Sequence, residues 1–312
     1  MFRIGVDVGG TGIQVGVVNE EGKIISEESI PTRKDLPFST QIFEIVQCVR
    51  AAIASADLTE DDIESVGVGI PGIGNRDGEI IKCTNMGWNH VPFGAEFAKH
   101  MQLPVFLAND ADVAALAESV AGVSAGTSSS VFITIGTGIG SGIILNGKIW
   151  NGAHGIGGEL GHVIMRLDGV PCTCGNRGCL ERYCSATALI RMGREAAEKH
   201  PSSLIVQMVE GELANIRART IIDAARKQDG PALEVYHTYI SYLSQAIASV
   251  ANFLDPEVIV LGGGVSNAGD FLLDAVKNEF PKHILFRDQP LPDIRIAVLG
   301  SRAGIIGAAM LS

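Results

Sequence analysis

Short apolar runs that stop at glycine recur along this chain, and they place its strands before any composition is counted. Phe2 to Val8 is the first. Asp7-Val-Gly-Gly-Thr11 then leads into Gly16-Val-Val-Asn-Glu-Glu-Gly-Lys-Ile24. The same pattern returns at Gly136-Thr-Gly-Ile-Gly140, which leads into Gly142-Ile-Ile-Leu-Asn-Gly-Lys-Ile149. Each reads as an apolar strand, a glycine turn, a second strand and a hairpin turn made by Asn and Gly. Helical periodicity follows the first hairpin. From Ser39, a candidate N-cap, to about Ala56, the residues Ile42, Ile45, Val46, Val49 and Ile53 share one face. Strands are expected at Val66–Ile70 and Val105–Ala108, and a helix from Ala111 to Ala121. The second half predicts helices at Ser185–Lys199, Ala218–Lys227 and Pro231–Leu254, with Asp229-Gly230-Pro231 as stop, turn and restart. Strands Val258–Leu261 and Ile294–Leu299 and a last helix, Ala303–Leu311, complete the pattern, and Ser124–Ser130 reads as a polar linker. Two similar α/β halves imply two domains facing a cleft.

Composition narrows the class. The 312 residues are 46% hydrophobic and 19% charged, enough for a large core. The 38 glycines sit in short loops and follow no collagen period. A net charge of -11 opposes nucleic acid and anionic membrane as partners. The apolar stretches Val131–Leu145 and Tyr239–Leu254 are broken by polar residues and fall short of a membrane span, and no signal peptide is visible. A soluble, cytoplasmic protein is the expectation.

Cys172, Cys174 and Cys179 fall within eight residues, with His162 ten positions upstream. Three thiols and an imidazole complete a tetrahedral Cys₃His zinc site, and Gly175, Asn176 and Gly178 let the chain turn tightly enough for the sulfurs to converge. Such a site has no open position for substrate, so the expected metal is a structural staple. Cys48, Cys83 and Cys184 are scattered and suggest no disulfide framework.

Other polar residues sit where α/β folds keep ligands. Asp7 ends a strand ahead of Gly9, Gly10 and Thr11, a carboxylate suited to a hydrated Mg²⁺ beside backbone that can approach an anion. Gly136, Thr137 and Gly138 form a like cradle, and Gly262, Gly263 and Gly264 end another strand, where a base or ribose can pass. No Walker loop occurs. Asn109 and Asp110 follow the strand ending at Ala108; Asp110 reads as a general base or as a helix cap.

These motifs together resemble the ROK sugar kinases, and among them the bacterial glucokinases. The matching segments are DVGGT at 7–11, NDAD at 109–112, IGTGIG at 135–140, GELGH at 158–162, CTCGNRGCLE at 172–181 and LGGGV at 261–265. The resemblance implies a two-lobed, actin-like and hexokinase-like (ribonuclease H-like) ATPase fold with a structural zinc knuckle. In it ATP lies between lobes of residues 1–118 plus 300–312 and 119–299, and the C-terminal helix packs on the first. It implies Asp110 as the base for the sugar 6-hydroxyl. Asn109, Glu159, His162 and Glu181 become sugar ligands, with Gly72 and Asn85 near them. His162 serves twice, one ring nitrogen on zinc and the other on the sugar. ATP, Mg²⁺ and structural Zn²⁺ are the implied cofactors, glucose the substrate, and a homodimer or larger homo-oligomer the assembly. Kinases for N-acetylmannosamine, N-acetylglucosamine, fructose or allose share most of these motifs. The family's repressors add a DNA-reading domain for which the strand at Ile4 leaves no room here, and a non-catalytic sugar sensor is the remaining alternative.

Overall fold

A computed structural model describes residues 1–75 and 77–312. By contacts the chain forms two compact units, one of residues 1–128, 142–158 and 298–312, the other of residues 129–141 and 159–297.

The first unit opens with β1 (Phe2–Val8), β2 (Gly12–Asn19) and β3 (Ile24–Pro31), followed by α1 (Phe38–Ser55), β4 (Ile63–Ile70) and a meander of β5 (Ile73–Gly74), β6 (Ile80–Cys83) and β7 (Trp88–Val91). Then come α2 (Phe93–Ala98), β8 (Val105–Asn109) and α3 (Asp110–Ala121). Farther along are β9 (Ser129–Ile135), β10 (Ile139–Leu145) and β11 (Lys148–Ile149), then α4 (Glu181–Cys184), α5 (Ala186–Lys199), α6 (Leu204–Gln207), α7 (Ala218–Arg226) and α8 (Gly230–Leu254). The chain ends with β12 (Val258–Gly262), α9 (Asp270–Glu279), β13 (Asp293–Ile296) and α10 (Arg302–Ala309).

The two large sheets have equivalent strand orders, β3-β2-β1-β4-β8 and β11-β10-β9-β12-β13. In the first, β1 pairs antiparallel with β2 and parallel with β4, and β4 pairs parallel with β8. In the second, β12 runs parallel to both β9 and β13. The duplicated glycine-turned hairpin of the sequence is therefore a duplicated sheet.

Alternation explains how the first sheet is covered. Ile4 and Val6 of β1 and Val15 and Val17 of β2 join Ile42, Ile45, Val46 and Val49 of α1, together with Phe93 and Phe97, in one buried core. Where α10 comes closest, the interleaved positions are glycine. A Cβ on Gly5 would sit 1.9 Å from Ile305 O, and one on Gly67 would sit 1.7 Å from Ala308 O. The C-terminal helix thus packs backbone to backbone on the first sheet. Glu118 of α3, 1% exposed, fixes the returning chain: Oε1 accepts the Val298 and Leu299 N–H groups at 2.9 and 3.0 Å, and Oε2 accepts Val123 N–H at 2.9 Å. A buried carboxylate with three donors is satisfied without a cation.

Several element ends differ from expectation. Pro37 occupies the cap position of α1 and Ser39 lies inside the first turn, because proline suits a helix start whose N–H groups are unpaired anyway. Ser129 and Ser130 belong to β9, leaving the polar linker shorter, and β13 ends at Ile296. Asp229 does cap α8, its side chain accepting Ala232 N–H at 3.2 Å.

Gly67→Ala is expected to lower stability by about 1–3 kcal/mol or more, since the helix backbone has no room to retreat. Urea denaturation measures it; an unchanged midpoint would mean that α10 tolerates displacement from the sheet.

Candidate functional site

Parallel pairing brings three strand ends to one edge of the first sheet. Asp7 registers with Gly69, and Ile70 with Asn109. The carboxyl ends of β1, β4 and β8 therefore gather Asp7, Gly72, Asn109 and Asp110, the customary ligand edge of an open α/β sheet. Asn109 caps α3: Oδ1 accepts Ala111 N–H at 2.9 Å, while Nδ2 donates to Gly72 O at 3.1 Å. Capping thus belongs to Asn109, and Asp110 is an exposed first-turn residue whose Oδ1 also accepts Ala111 N–H at 2.9 Å. Gly72 is pressed on β6, where a Cβ would meet Lys82 O at 2.2 Å, and the turn after β6 carries the exposed Asn85. Asp7 is half-buried. Burial first, then the nearby Asp110 charge, raises its carboxyl from the usual 3.8 to about 6. A Cβ on Gly304 would lie 2.3 Å from Asp7 Oδ2, so the first turn of α10 touches this carboxylate only because it lacks a side chain there.

The three glycine turns share a device. In each, a hydroxyl captures one carbonyl: Thr32 Oγ1 donates to Gly9 O at 2.7 Å, Thr187 Oγ1 to Thr137 O at 2.7 Å, and Ser266 Oγ to Gly263 O at 2.7 Å. The C=O and N–H of a trans peptide point in opposite directions, so the next N–H, of Gly10, Gly138 or Gly264, is turned away from the hydroxyl. Cβ positions at Gly10, Gly136 and Gly264 are open, the nearest neighbour of Gly10 being Lys34 Nζ at 3.9 Å. Gly263, at φ +82°, lies on the Ile135 backbone, which places its turn beside that of Gly136. These arrangements suit a phosphate.

The knuckle belongs to the second unit. Ligand atoms of His162, Cys172, Cys174 and Cys179 all lie within 4.8 Å of one another. Cys174 and Cys179 Sγ are 3.6 Å apart, and Cys172 Sγ is 3.8 Å from His162 Nδ1. Zinc–sulfur bonds of ~2.3 Å require a tetrahedron edge of ~3.8 Å, so the four residues fit the ion. Gly178, at φ +76°, is indispensable: a Cβ would lie 1.6 Å from Arg166 O.

Two polar residues flank this knuckle. Glu181 Oε1 lies 4.0 Å from Cys172 Sγ, and its Oε2 accepts Ile139 N–H at 3.1 Å. Glu159 is exposed and precedes the short 3-10 turn Leu160–His162, in which His162 N–H donates to Glu159 O at 3.0 Å. That turn rests on β10, with Leu160 N–H donating to Ser141 Oγ at 3.3 Å. Gly138 has a packing reason to be glycine as well: a Cβ would be 2.2 Å from Glu181 Oε2. Sequence patterns missed Thr32, Thr187, Ser266 and Gly304. The hydroxyls of Thr32 and Thr187 act on carbonyls 23 and 50 positions away, beyond any local spacing signal.

A duplicated α/β sheet with phosphate-type turns and a closed metal knuckle defines a nucleotide- and sugar-handling class. The ROK family model matches residues 3–312, and the chain belongs to that family. A glucokinase of Halalkalibacterium halodurans is 37% identical over 312 residues, covering 99% of this chain and 94% of that one. A crystal structure of a ROK family glucokinase from Streptomyces griseus in complex with glucose and AMPPNP superposes with TM-score 0.80 at 32% identity, covering 99% and 98%. A ROK hexokinase from Thermus thermophilus gives TM-score 0.85 at 31% identity, covering 99% and 97%. Among the described residues, no helix is long and apolar enough to cross a membrane.

Two outcomes are expected. Elemental analysis should find about one zinc per chain, and Cys179→Ser should abolish it together with a clear fall in melting temperature; a fully folded, zinc-free native protein would contradict the staple. For Asp7, the unfolded carboxyl titrates near 3.8 and the folded one near 6, so folding stability falls as pH rises through that window and the full cost persists above it. Asp7→Asn should therefore stabilise the metal-free protein at pH 8, by at most about 3 kcal/mol at ~1.36 kcal/mol per pKa unit, and much less at pH 4. Melting curves at the two pH values check the sign.

Proposed function

We propose that this protein is an ATP-dependent kinase that phosphorylates the 6-hydroxyl of glucose. The observation that carries the reading is the pairing, on one strand edge, of a desolvated carboxylate (Asp7) and an exposed one (Asp110) beside a glycine turn whose Gly10 N–H is directed away from its tether. Membership of the ROK family and similarity to glucokinases support it.

In the proposed reaction Asp110 accepts the proton of the sugar hydroxyl as that oxygen bonds to the γ-phosphorus. The bond from phosphorus to the bridging oxygen breaks, and its electron pair leaves with ADP. A carboxylate is a weak base for an alcohol, and it suffices here because the transition state is loose and the proton moves late. The N–H groups of Gly10, Gly138 and Gly264 are the phosphate donors. A divalent cation fits at Asp7, where burial and a second carboxylate make positive charge favourable; bound Mg²⁺ supplies neutralisation of phosphate oxygens.

The sugar ligands are Asn109, Gly72 and Asn85 from the first unit and Glu159, His162 and Glu181 from the second. With Nδ1 of His162 on the metal side, Nε2 carries the ring proton and donates to a hydroxyl. Carboxylates and amides discriminate between sugars by leaving their own groups unpaired with the wrong one.

A coupled assay for ADP release over a panel of hexoses and N-acetylhexosamines tests the reading, with glucose expected to be preferred. Asp110→Asn should cut kcat by roughly 10²–10⁴-fold while glucose affinity stays unchanged. Near-native turnover in that variant removes Asp110 as the base. Preference for an N-acetylhexosamine changes the substrate alone, and sugar binding without any transfer favours the sensor.

A further inference from the structure

Lys34 stands at the tip of a loop that is held at both ends. Thr32 ties its start to the first glycine turn, N–H donating to Thr11 O at 3.1 Å and Oγ1 to Gly9 O at 2.7 Å. A turn closes over residues 33–36 through Leu36 N–H to Arg33 O at 3.2 Å. Leu36 O then accepts Gln41 Nε2 at 2.7 Å, and Gln41, only 6% exposed, is itself held by Trp88 Nε1 at 3.1 Å. The loop is a built part of the site.

The two cations of this loop have different fates. Arg33 is spent on Asp35, with Nε and a terminal nitrogen each 3.2 Å from a carboxylate oxygen. Lys34 makes no hydrogen bond or ion pair among the described residues. Its Nζ lies 3.9 Å from the position a Cβ would take on Gly10, the glycine whose N–H is turned away from Thr32. The Cys83 thiol is pushed up by burial; it also feels Asp110, which raises it further, and Lys34, which lowers it. The ammonium and the Asp110 carboxylate therefore act on one neighbourhood.

We propose that Lys34 is a phosphate ligand of the reacting centre, its ammonium receiving the γ-phosphate beside the Gly10 N–H; this rests on the kinase reading above. A phosphate approaching two carboxylates in a chain of net charge -11 meets repulsion, and a preplaced cation offsets it. As phosphorus passes from the bridging oxygen to the sugar oxygen, the Lys34 charge stays on the γ-oxygens, where transition-state stabilisation is needed.

The test uses purified full-length protein, native and with Lys34→Met or Lys34→Arg. Lys34→Met should lower kcat/KM for ATP on the order of 10²-fold, with glucose affinity and melting temperature unchanged. Lys34→Arg should recover at least half of that loss on a logarithmic scale, since it restores the charge but not the same geometry. AMPPNP affinity should fall in the Met variant while ADP affinity holds, which a merely structural role would not produce. The proposal is overturned if Lys34→Met stays within about fivefold of native, if Arg does no better than Met, or if ADP and AMPPNP weaken equally. A native protein that transfers phosphate to no sugar would instead sink the kinase reading itself.

Discussion

Two carboxylates near each other at the carboxyl ends of parallel strands, one of them partly desolvated, set the terms for the first unit. Burial holds the Asp7 carboxyl up at about 6, and repulsion from Asp110 adds to it. The structure meets it with positive ends of neutral groups: the start of α3, where Asp110 sits, and the start of α10, whose Gly304 lets the backbone come close to Asp7. A site that strains its own anions binds cations readily, and through them polyphosphate. On the kinase reading, that strain is why the apoprotein is less stable than it could be at neutral pH.

On that same reading phosphate donors come mostly from backbone, and backbone is useful only if its direction is fixed. The captured carbonyls of Gly9, Thr137 and Gly263 supply that direction. A glycine turn alone is conformationally loose, and the entropy of ordering it would fall on ligand binding. One hydroxyl per turn prepays this during folding. Three turns distant in sequence arrive at one solution, and two of them terminate equivalent strands of equivalent sheets.

Much of this was legible beforehand, for physical reasons that differ by element. Sheet duplication showed because β strands buried on both faces need apolar runs, and because both hairpins turn on an Asn followed at short distance by Gly. The knuckle showed because metal ligands need fixed chemistry at short spacing. The division of labour between Asn109 and Asp110 did not, since both residue types cap helices and only the hydrogen bond to Ala111 with the second bond to Gly72 marks Asn109 as the cap. Gly138 carries a further constraint that its motif hides: the space its missing side chain frees is filled by Glu181. Long-range partners such as Thr32 and Thr187 leave no periodic trace. The α2, α9 and β5–β7 elements escaped because short or weakly patterned segments owe their form to tertiary packing.

The Glu181 contact also answers what a closed metal site accomplishes when it has no position for substrate. One carboxylate oxygen lies near Cys172, and the other holds the N–H of Ile139, the first residue of β10 after the second glycine turn. On the opposite side of that residue, Gly161 leaves room for Ile139 O, where a Cβ would come within 2.3 Å, and Gly161 adjoins the metal ligand His162. Ile139 is thus held through its N–H by Glu181 and packed at its C=O against Gly161, on the two segments that the knuckle joins. Fixing the four ligands fixes those segments, and they in turn fix where the Gly136–Gly140 turn ends. On the zinc and kinase readings, the staple therefore positions a phosphate-type turn as well as Glu159, His162 and Glu181, and losing the ion would loosen both kinds of contact together rather than the proposed sugar ligands alone.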